Sequence, residues 1–240
     1  MTKDMQDITL TPIGIVNSPY KEKFAIPRQP GLVNAAKGTI ELLGNANNID
    51  SVRELKQFSH IWLLFIFHGT QEQGWKSLVR PPRLGGNKKM GVLATRSTFR
   101  PNPIGLSVVK LDEVDVSKQN VILHISGMDL LDQTPIVDIK PYIPYSDSLP
   151  NASAGFAQTQ PQLSLTVKFS EQAHQELTKF NSVLPDLPLL IEQVLAQDPR
   201  PAYKQNKIDE KIYGMNLYNL NIQWKMLDFE NIEVIQIISL

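Results

Sequence analysis

Two arginines stand close together in one polar run of the sequence. Arg96 and Arg100 belong to the segment 94–105, which also contains three hydroxyl side chains and an Asn-Pro turn. A guanidinium group presents a planar fork of N–H donors that matches a carboxylate or a phosphate. Because Pro101 and Pro103 restrict the backbone of this segment, the segment is typical of an anion-binding site. A stiff turn with two surface arginines is the alternative interpretation.

A second polar run carries carboxylates. The segment 129–135 contains Asp129 and Asp132, and it leads into an alternating stretch with Asp138 and Lys140. Carboxylates beside a loop accept hydrogen bonds from an amino group or from a ribose diol. Asp138 and Lys140 fit a structural ion pair on a strand equally well. Taken alone, this run leaves both interpretations open.

A third run lies near the C-terminus. The segment 197–203 places Arg200 three residues before Tyr203. A tyrosine and an arginine can contact RNA together, the first by stacking on a base and the second by binding a phosphate. The pattern is short, and it supports RNA binding only weakly by itself.

Other classes of site are excluded by residue types. The chain has no cysteine, which rules out disulfides, thiolate metal sites and cysteine nucleophiles. It has no glycine-rich dinucleotide motif, no phosphate-binding loop and no His-Glu-x-x-His motif. The four histidines lack metal-ligand spacing, so we expect no metal. His68 follows a predicted buried strand, where ligands often bind, although a structural histidine is the alternative.

The distribution of charge is more informative than its sum. The net charge is zero, yet residues 73–111 contain eight lysines and arginines and no aspartate or glutamate. A segregated basic segment in a neutral protein favours a local polyanion site. A basic, solvated loop is the alternative.

The elements that position these runs are short strands. Runs of β-formers predict strands at Ile13–Val16, Lys37–Leu42, His60–Phe67, Met90–Thr95, Gly105–Val116, Asn120–Ser126 and Ile136–Ile139. We expect His60–Phe67 to be buried on both faces and Asn48–Gln57 to form a helix. Because no strand-helix-strand repeat occurs, the fold is predicted to be mainly β, a barrel rather than a doubly wound sheet. The long loops at 20–34 and 71–89 are predicted to be functional.

The last third of the chain changes character. Residues 142–162 are rich in proline, serine and alanine, as in a linker. After them we predict a helix capped by Ser170, a helix at Leu187–Ala196, and strands at Asn216–Met226 and Glu233–Ile238. The predicted organisation is a β-barrel domain at 1–150 and a small α+β domain at 151–240.

The ends and the apolar runs bear on location. Residues 1–10 contain Lys3, Asp4 and Asp7 and resemble no signal peptide. The longest apolar stretch, Ile61–Phe67, is too short to span a bilayer. We therefore expect a cytoplasmic protein that does not associate with membranes.

Together these runs resemble one family. The matching segments are Ser18–Phe24, Pro27–Gly31, Arg80–Gly86, Ala94–Gly105, Asp132–Tyr142 and Gln197–Tyr203. They are similar to the signature segments of the TrmO family of bacterial tRNA methyltransferases, and the likeness extends over nearly the whole chain. The resemblance implies a single-sheeted β-barrel, a homodimer, and methyl transfer from S-adenosylmethionine to N6 of N6-threonylcarbamoyladenosine at tRNA position 37. It also implies that the small C-terminal domain helps to hold tRNA.

The resemblance also suggests site residues. Those expected to bind S-adenosylmethionine are Pro27, Arg28, Gln29, His68, Gly69, Arg96, Leu106, Leu130, Asp132 and Thr134. In this interpretation Arg28 and Arg96 hold the carboxylate, while the basic segment meets the anticodon arm. Asp138 is the candidate base for the N6 proton, with Tyr142 as the reserve. Two rival functions remain: an RNA-binding barrel without catalysis, and a small-molecule enzyme that holds an organic acid.

Overall fold

The computed structural model describes residues 7–117, 120–161, 165–201, 204 and 207–240. The strands are β1 Gly14–Asn17, β2 Lys37–Leu42, β3 His60–Ile66, β4 Leu78–Val79, β5 Met90–Gly91, β6 Ile104–Ser117, β7 Asn120–Ser126, β8 Pro135–Pro141, β9 Thr166–Phe169, β10 Tyr213–Leu217, β11 Leu220–Met226 and β12 Asn231–Ser239. The α-helices are α1 Pro144–Asp147, α2 Glu171–Thr178 and α3 Leu187–Leu195. In the part of the chain so described, no helix is long and apolar enough to cross a membrane.

Six strands close into one antiparallel barrel. Their order is β1-β2-β7-β6-β3-β8, and β8 returns to β1. Along β3, Ile61, Leu63 and Phe65 point into the core, while the residues between them are only partly covered. The barrel confirms the predicted mainly β fold. The prediction that β3 is buried on both faces was wrong, because an antiparallel barrel wall has one inner and one outer face.

Three elements differ from their predicted forms. The expected helix at 48–57 is two 3₁₀ turns, Ile49–Val52 and Leu55–Gln57, and the left-handed backbone of Glu54 (φ 65°) interrupts it. The expected strand at 90–95 is β5 followed by a 3₁₀ turn at Val92–Ala94. The expected strand at 216–226 is the hairpin of β10 and β11, which turns at Tyr218 (φ 52°). Alternating apolar residues on both sides of that turn hid it in the sequence.

The C-terminal part is a four-stranded sheet with two helices of eight or nine residues. Its order is β10-β11-β12-β9, with β9 parallel to β12 and absent from the sequence prediction. The Ser170 hydroxyl accepts a hydrogen bond from the Ala173 N–H at 3.1 Å, which confirms the predicted cap of α2. Trp224 is buried in the sheet, as expected for a core residue.

The barrel and the C-terminal sheet share one hydrophobic core. Backbone contacts join the loop after β1 to the hairpin of β10 and β11: Tyr20 forms a β-bridge with Leu217, and Tyr218 N donates to Pro19 O at 2.7 Å. Side chains of the α3 region reach the same loop, since Gln193 Oε1 accepts from Ala35 N at 3.0 Å. The C-terminal part therefore fixes the loop that carries the first two signature segments.

Candidate active site

Three long loops leave the barrel at the same end. The chain direction alternates around an antiparallel barrel, so β1, β3 and β7 end at the rim where β2, β6 and β8 begin. Loops 18–36, 67–103 and 127–134 consequently meet at this rim. They carry nine of the ten predicted cofactor residues: Pro27, Arg28, Gln29, His68, Gly69, Arg96, Leu130, Asp132 and Thr134. The tenth, Leu106, lies three residues into β6 on the outer wall and is 52% exposed.

Asp132 braces two of the loops against each other. Its Oδ1 accepts from the backbone N–H of Ser18 at 2.8 Å, and its Oδ2 lies 2.6 Å from Lys21 Nζ. The backbone N–H of Asp132 donates in turn to Tyr20 O at 2.9 Å. The carboxylate therefore fixes the start of loop 18–36 over loop 127–134.

The turn after Asp132 is strained and lies beside a histidine. Gln133 adopts left-handed backbone (φ 62°), which is uncommon outside glycine and is typical of functional loops. The next residue, Thr134, is buried, donates its hydroxyl to Leu131 O at 2.7 Å and lies 3.5 Å from His68 Nδ1. The turn thus brings His68 and Thr134, two of the predicted cofactor residues, together.

The two arginines of the 94–105 run have different roles. Arg96 is exposed, and its Nη1 donates to Gln29 Oε1 at 2.6 Å, which connects loop 67–103 to loop 18–36. Arg100 donates to the carbonyl oxygens of Thr95 (2.7 Å) and Val92 (3.3 Å). Arg96 is therefore available at the rim, whereas Arg100 holds the turn that presents it.

A carboxylate that the sequence reasoning did not assign to the site lies under this rim. Asp129 follows β7, and burial raises its pKa to about 6, against the opposing effects of a hydrogen bond from Ser107 and the nearby charge of Arg96. Among the residues that the structure describes, none provides a hydrogen-bond partner for Asp129 Oδ1 or for the buried hydroxyl of Tyr20. The sequence showed Asp129 as one of several carboxylates, but burial is not visible in the run itself.

A groove of about 340 Å³ opens beside the rim, between the barrel loops and the C-terminal part. Its cationic lining includes Lys23, Arg28 and Arg80, and its apolar walls include Ile26 and Pro199. The side chains of Arg28 and Arg80 are exposed to solvent. The groove is therefore a positively charged cleft that both parts of the chain build.

Comparisons with known proteins agree with this geometry. The family model of the tRNA-methyltransferase O N-terminal domain matches residues 15–148, and that of the TrmO C-terminal domain matches residues 162–240. The chain belongs to the TrmO family. A tRNA (adenine(37)-N6)-methyltransferase of Escherichia coli is 51% identical over 224 residues, which cover 93% of this chain and 95% of the relative.

Two further comparisons concern Pseudomonas aeruginosa. A protein named as a candidate S-adenosylmethionine-dependent methyltransferase is 46% identical over 217 residues, covering 90% of this chain and 91% of the relative. A crystal structure of TrmO superposes with a TM-score of 0.82 at 39% identity, over 98% of this chain and 99% of the other. The fold and the family are therefore both established.

In the TrmO fold of this chain, Asp138 and Tyr142 lie apart from the rim loops. Asp138 is on β8, where its Oδ2 contacts Lys140 Nζ at 2.9 Å, as in the ion pair that the sequence left open. Tyr142 follows the far end of β8, and its ring packs against Trp62 with centroids 5.7 Å apart. Asp138 shares the outer wall of the barrel with Leu106, because both residues pair with Leu64 of β3, whereas Tyr142 lies at the far end of β8. Their roles stay predictions.

In the third polar run, residues 197–203, the arginine has a structural role. Arg200 is buried and makes two 2.8 Å hydrogen bonds to the Asp198 carboxylate. The prediction that Arg200 contacts RNA was wrong, because its guanidinium is enclosed by the protein. Tyr203, the other half of that prediction, lies outside the described residues.

A second depression lies at the opposite end of the barrel from the rim. This shallow depression has a volume of about 770 Å³, and the described residues that line it are asparagines, a glycine and aliphatic residues, such as Asn45 and Val116. No cluster of three or more His, Cys, Asp or Glu suited to a metal occurs within the described ranges.

Proposed function

We propose that this protein methylates N6 of N6-threonylcarbamoyladenosine at position 37 of tRNA, with S-adenosylmethionine as the methyl donor. The observation that carries the proposal is the meeting of loops 18–36, 67–103 and 127–134 at one rim of a TrmO-family barrel. The relatives named for adenine-37 methylation and for dependence on S-adenosylmethionine support the reaction and the donor.

The rim residues fit S-adenosylmethionine. Its methionine part is a zwitterion, and the charge of the exposed Arg96 acts on Asp129. Within the described part of the chain, Asp129 Oδ1 is buried and has no hydrogen-bond partner. Arg28 and Arg96 hold the carboxylate, and Asp132 and Thr134 take the polar edges of ribose or adenine. The remaining members shape the pocket: Pro27, Gln29, His68, Gly69, Leu106 and Leu130. When bound, S-adenosylmethionine supplies an activated methyl group.

The tRNA substrate needs a cationic surface near this pocket. The groove that contains Arg28 and Arg80 adjoins the rim, and residues 194 and 197–201 of the C-terminal part also line it. Phosphate binding by such cations gives affinity that falls with salt. We assign the groove and the basic 73–111 segment to the anticodon arm, and the division into domains 1–150 and 151–240 gives the second domain a tRNA-holding role. An anticodon loop is single-stranded, so presenting its base requires little unstacking energy.

A homodimer would complete the site. The outer wall of β3, β6 and β8 exposes Ile104 (37%) and Leu106 (52%), and Asp138 and Trp62 lie on the same strands. A second copy of the chain that covers this wall buries apolar surface and encloses Asp138. In that arrangement Asp138 accepts the N6 proton, with Tyr142 as the reserve. We further propose a cytoplasmic location, where mature tRNA is found.

A methylation assay tests the function. Purified protein and S-adenosylmethionine are incubated with threonine tRNA that carries the threonylcarbamoyl group and with the same tRNA lacking it. The nucleosides are then weighed by mass spectrometry. A gain of one methyl group on the modified adenosine alone is the expected result. Tight tRNA binding without any methyl gain would instead support the non-catalytic RNA-binding barrel.

A further inference from the structure

Asp129 is an anomaly among the aspartates of the rim. Its Oδ1 is buried, and the described residues offer that oxygen no hydrogen-bond donor. Burial raises the pKa of Asp129, whereas the hydrogen bond from Ser107, a hydrogen bond from its own backbone N–H and the charge of Arg96 favour its ionised form. An ionised carboxylate removed from water is costly to the folded state unless it is paired and hydrogen-bonded.

Two other aspartates of this protein have partners on both of their carboxylate oxygens. Both oxygens of Asp132 are engaged, by Ser18 N and by Lys21 Nζ. Both oxygens of Asp198 receive hydrogen bonds from Arg200. Asp129 differs because its Oδ1 is buried and has no hydrogen-bond partner among the described residues, as is also true of the hydroxyl of Tyr20, whose pKa the charge of Asp129 helps to raise.

The group that donates the missing hydrogen bond can be identified from the proposed S-adenosylmethionine site. This inference rests on the proposed function. Arg96 is predicted to hold the carboxylate of the methionine part, and Asp129 is close enough to Arg96 for their charges to interact. In an α-amino acid the ammonium and carboxylate groups stand on the same carbon, so a site that holds one must present a partner to the other. We propose that Asp129 binds the α-ammonium group of S-adenosylmethionine.

This assignment explains the placement of Asp129. A bound ammonium group supplies the missing hydrogen bond and adds a positive charge to that of Arg96. The charge-assisted hydrogen bond is strong because the carboxylate is shielded from water. Asp129 and Arg96 then form a matched pair for a zwitterion, which selects the amino-acid end of the donor over simple adenosine compounds.

Ligand analogues test the proposal directly. Isothermal calorimetry compares S-adenosylhomocysteine with its deaminated analogue, 5′-S-(3-carboxypropyl)-5′-thioadenosine, which keeps the carboxylate and lacks the ammonium group. The wild-type protein is expected to bind S-adenosylhomocysteine about 10- to 100-fold more tightly, since hydrogen bonds to charged groups contribute at this level. Equal affinities of the wild-type protein for the two ligands would overturn the proposal, whether or not any variant folds.

The isosteric variant Asp129→Asn completes the test. It is expected to lose affinity for S-adenosylhomocysteine by about 10-fold or more while its affinity for the deaminated analogue stays unchanged. Asp115→Asn is the matched control, because Asp115 lies near the end of β6 that is far from the rim. This variant should bind both ligands as the wild type does. A parallel loss for both ligands in Asp129→Asn would mean a structural role. Failure of the wild-type protein to bind either compound would instead contradict the proposed function.

Discussion

The carboxylate of Asp198 and the guanidinium of Arg200 form a two-pronged ion pair in the interior of the protein. Arg200 Nε and Nη2 lie 2.8 Å from Oδ1 and Oδ2 of Asp198, and the arginine side chain is 1% exposed. Arg200 Nη1 also donates to Lys207 O at 2.8 Å. The pair thus ties the segment after α3 to the chain that leads into β10, next to the groove.

Removal of one partner should strongly destabilise the protein. Arg200→Ala leaves the Asp198 charge buried and is expected to lower the free energy of unfolding by about 3–5 kcal/mol. The control is Arg53→Ala, which breaks an exposed ion pair with Asp50 and should cost less than about 1 kcal/mol. Urea denaturation measures both. A loss for Arg200→Ala no greater than for Arg53→Ala would contradict the structural role.

This pair illustrates what the sequence could and could not reveal. The sequence showed which chemical groups are present. The alternation of apolar and polar residues in β7 and β8 also predicted that the polar runs lie at strand ends. The burial of individual side chains could not be predicted from the sequence. Arg200 was interpreted as an RNA contact, and Asp129 was only one carboxylate among several. Both outcomes depend on contacts between segments far apart in the chain, such as Ser107 with Asp129, which no local pattern encodes.

Backbone conformation was the second property that could not be predicted from the sequence. The left-handed residues Glu54 and Tyr218 break a predicted helix and a predicted strand, and neither is a glycine that would have marked the turn. By contrast, the Ser170 cap followed from residue type and was confirmed. Local signals therefore located most elements, whereas tertiary contacts decided their ends and the site.

The exposed Arg96 should determine affinity for the carboxylate end of the donor. Arg96→Lys keeps the positive charge but loses the planar fork and the geometry of the bond to Gln29. We expect about a 10-fold loss of affinity for both S-adenosylhomocysteine and its deaminated analogue. Calorimetry with 5′-methylthioadenosine, which lacks the amino-acid part, provides the control. Unchanged binding of the deaminated analogue would show that Arg96 does not hold the carboxylate.

The groove should contribute to tRNA affinity through phosphate contacts. Arg80 lines it and is exposed, so Arg80→Ala should weaken tRNA binding and reduce the slope of log K against log salt by about 1. Arg53→Ala, at the opposite end of the barrel, is the matched control and should leave the slope unchanged. Filter binding at several salt concentrations gives both values. Identical slopes for Arg80→Ala and the wild type would remove the groove from the tRNA interface.

The partly buried Asp129, whose Oδ1 is shielded from solvent, should also make stability depend on pH. The unfolded chain releases this proton near 3.8, whereas burial raises the pKa of the folded form to about 6. Between these values the folded protein holds more protons than the unfolded chain, so this group's contribution to the free energy of unfolding falls as the pH rises. The shift corresponds to about 3 kcal/mol of destabilisation at pH 7.

Asp129→Asn removes this titration while keeping a side-chain oxygen to accept from Ser107. The variant is therefore expected to gain stability relative to the wild type as the pH rises from 4 to 7, by up to about 3 kcal/mol. Urea denaturation of both proteins across this range measures the difference. If the difference in free energy of unfolding between the two proteins stays constant with pH, burial does not raise the pKa of Asp129. A gap that widens, together with weaker S-adenosylhomocysteine binding, would show that the fold keeps an unfavourable charge because its ligand needs it.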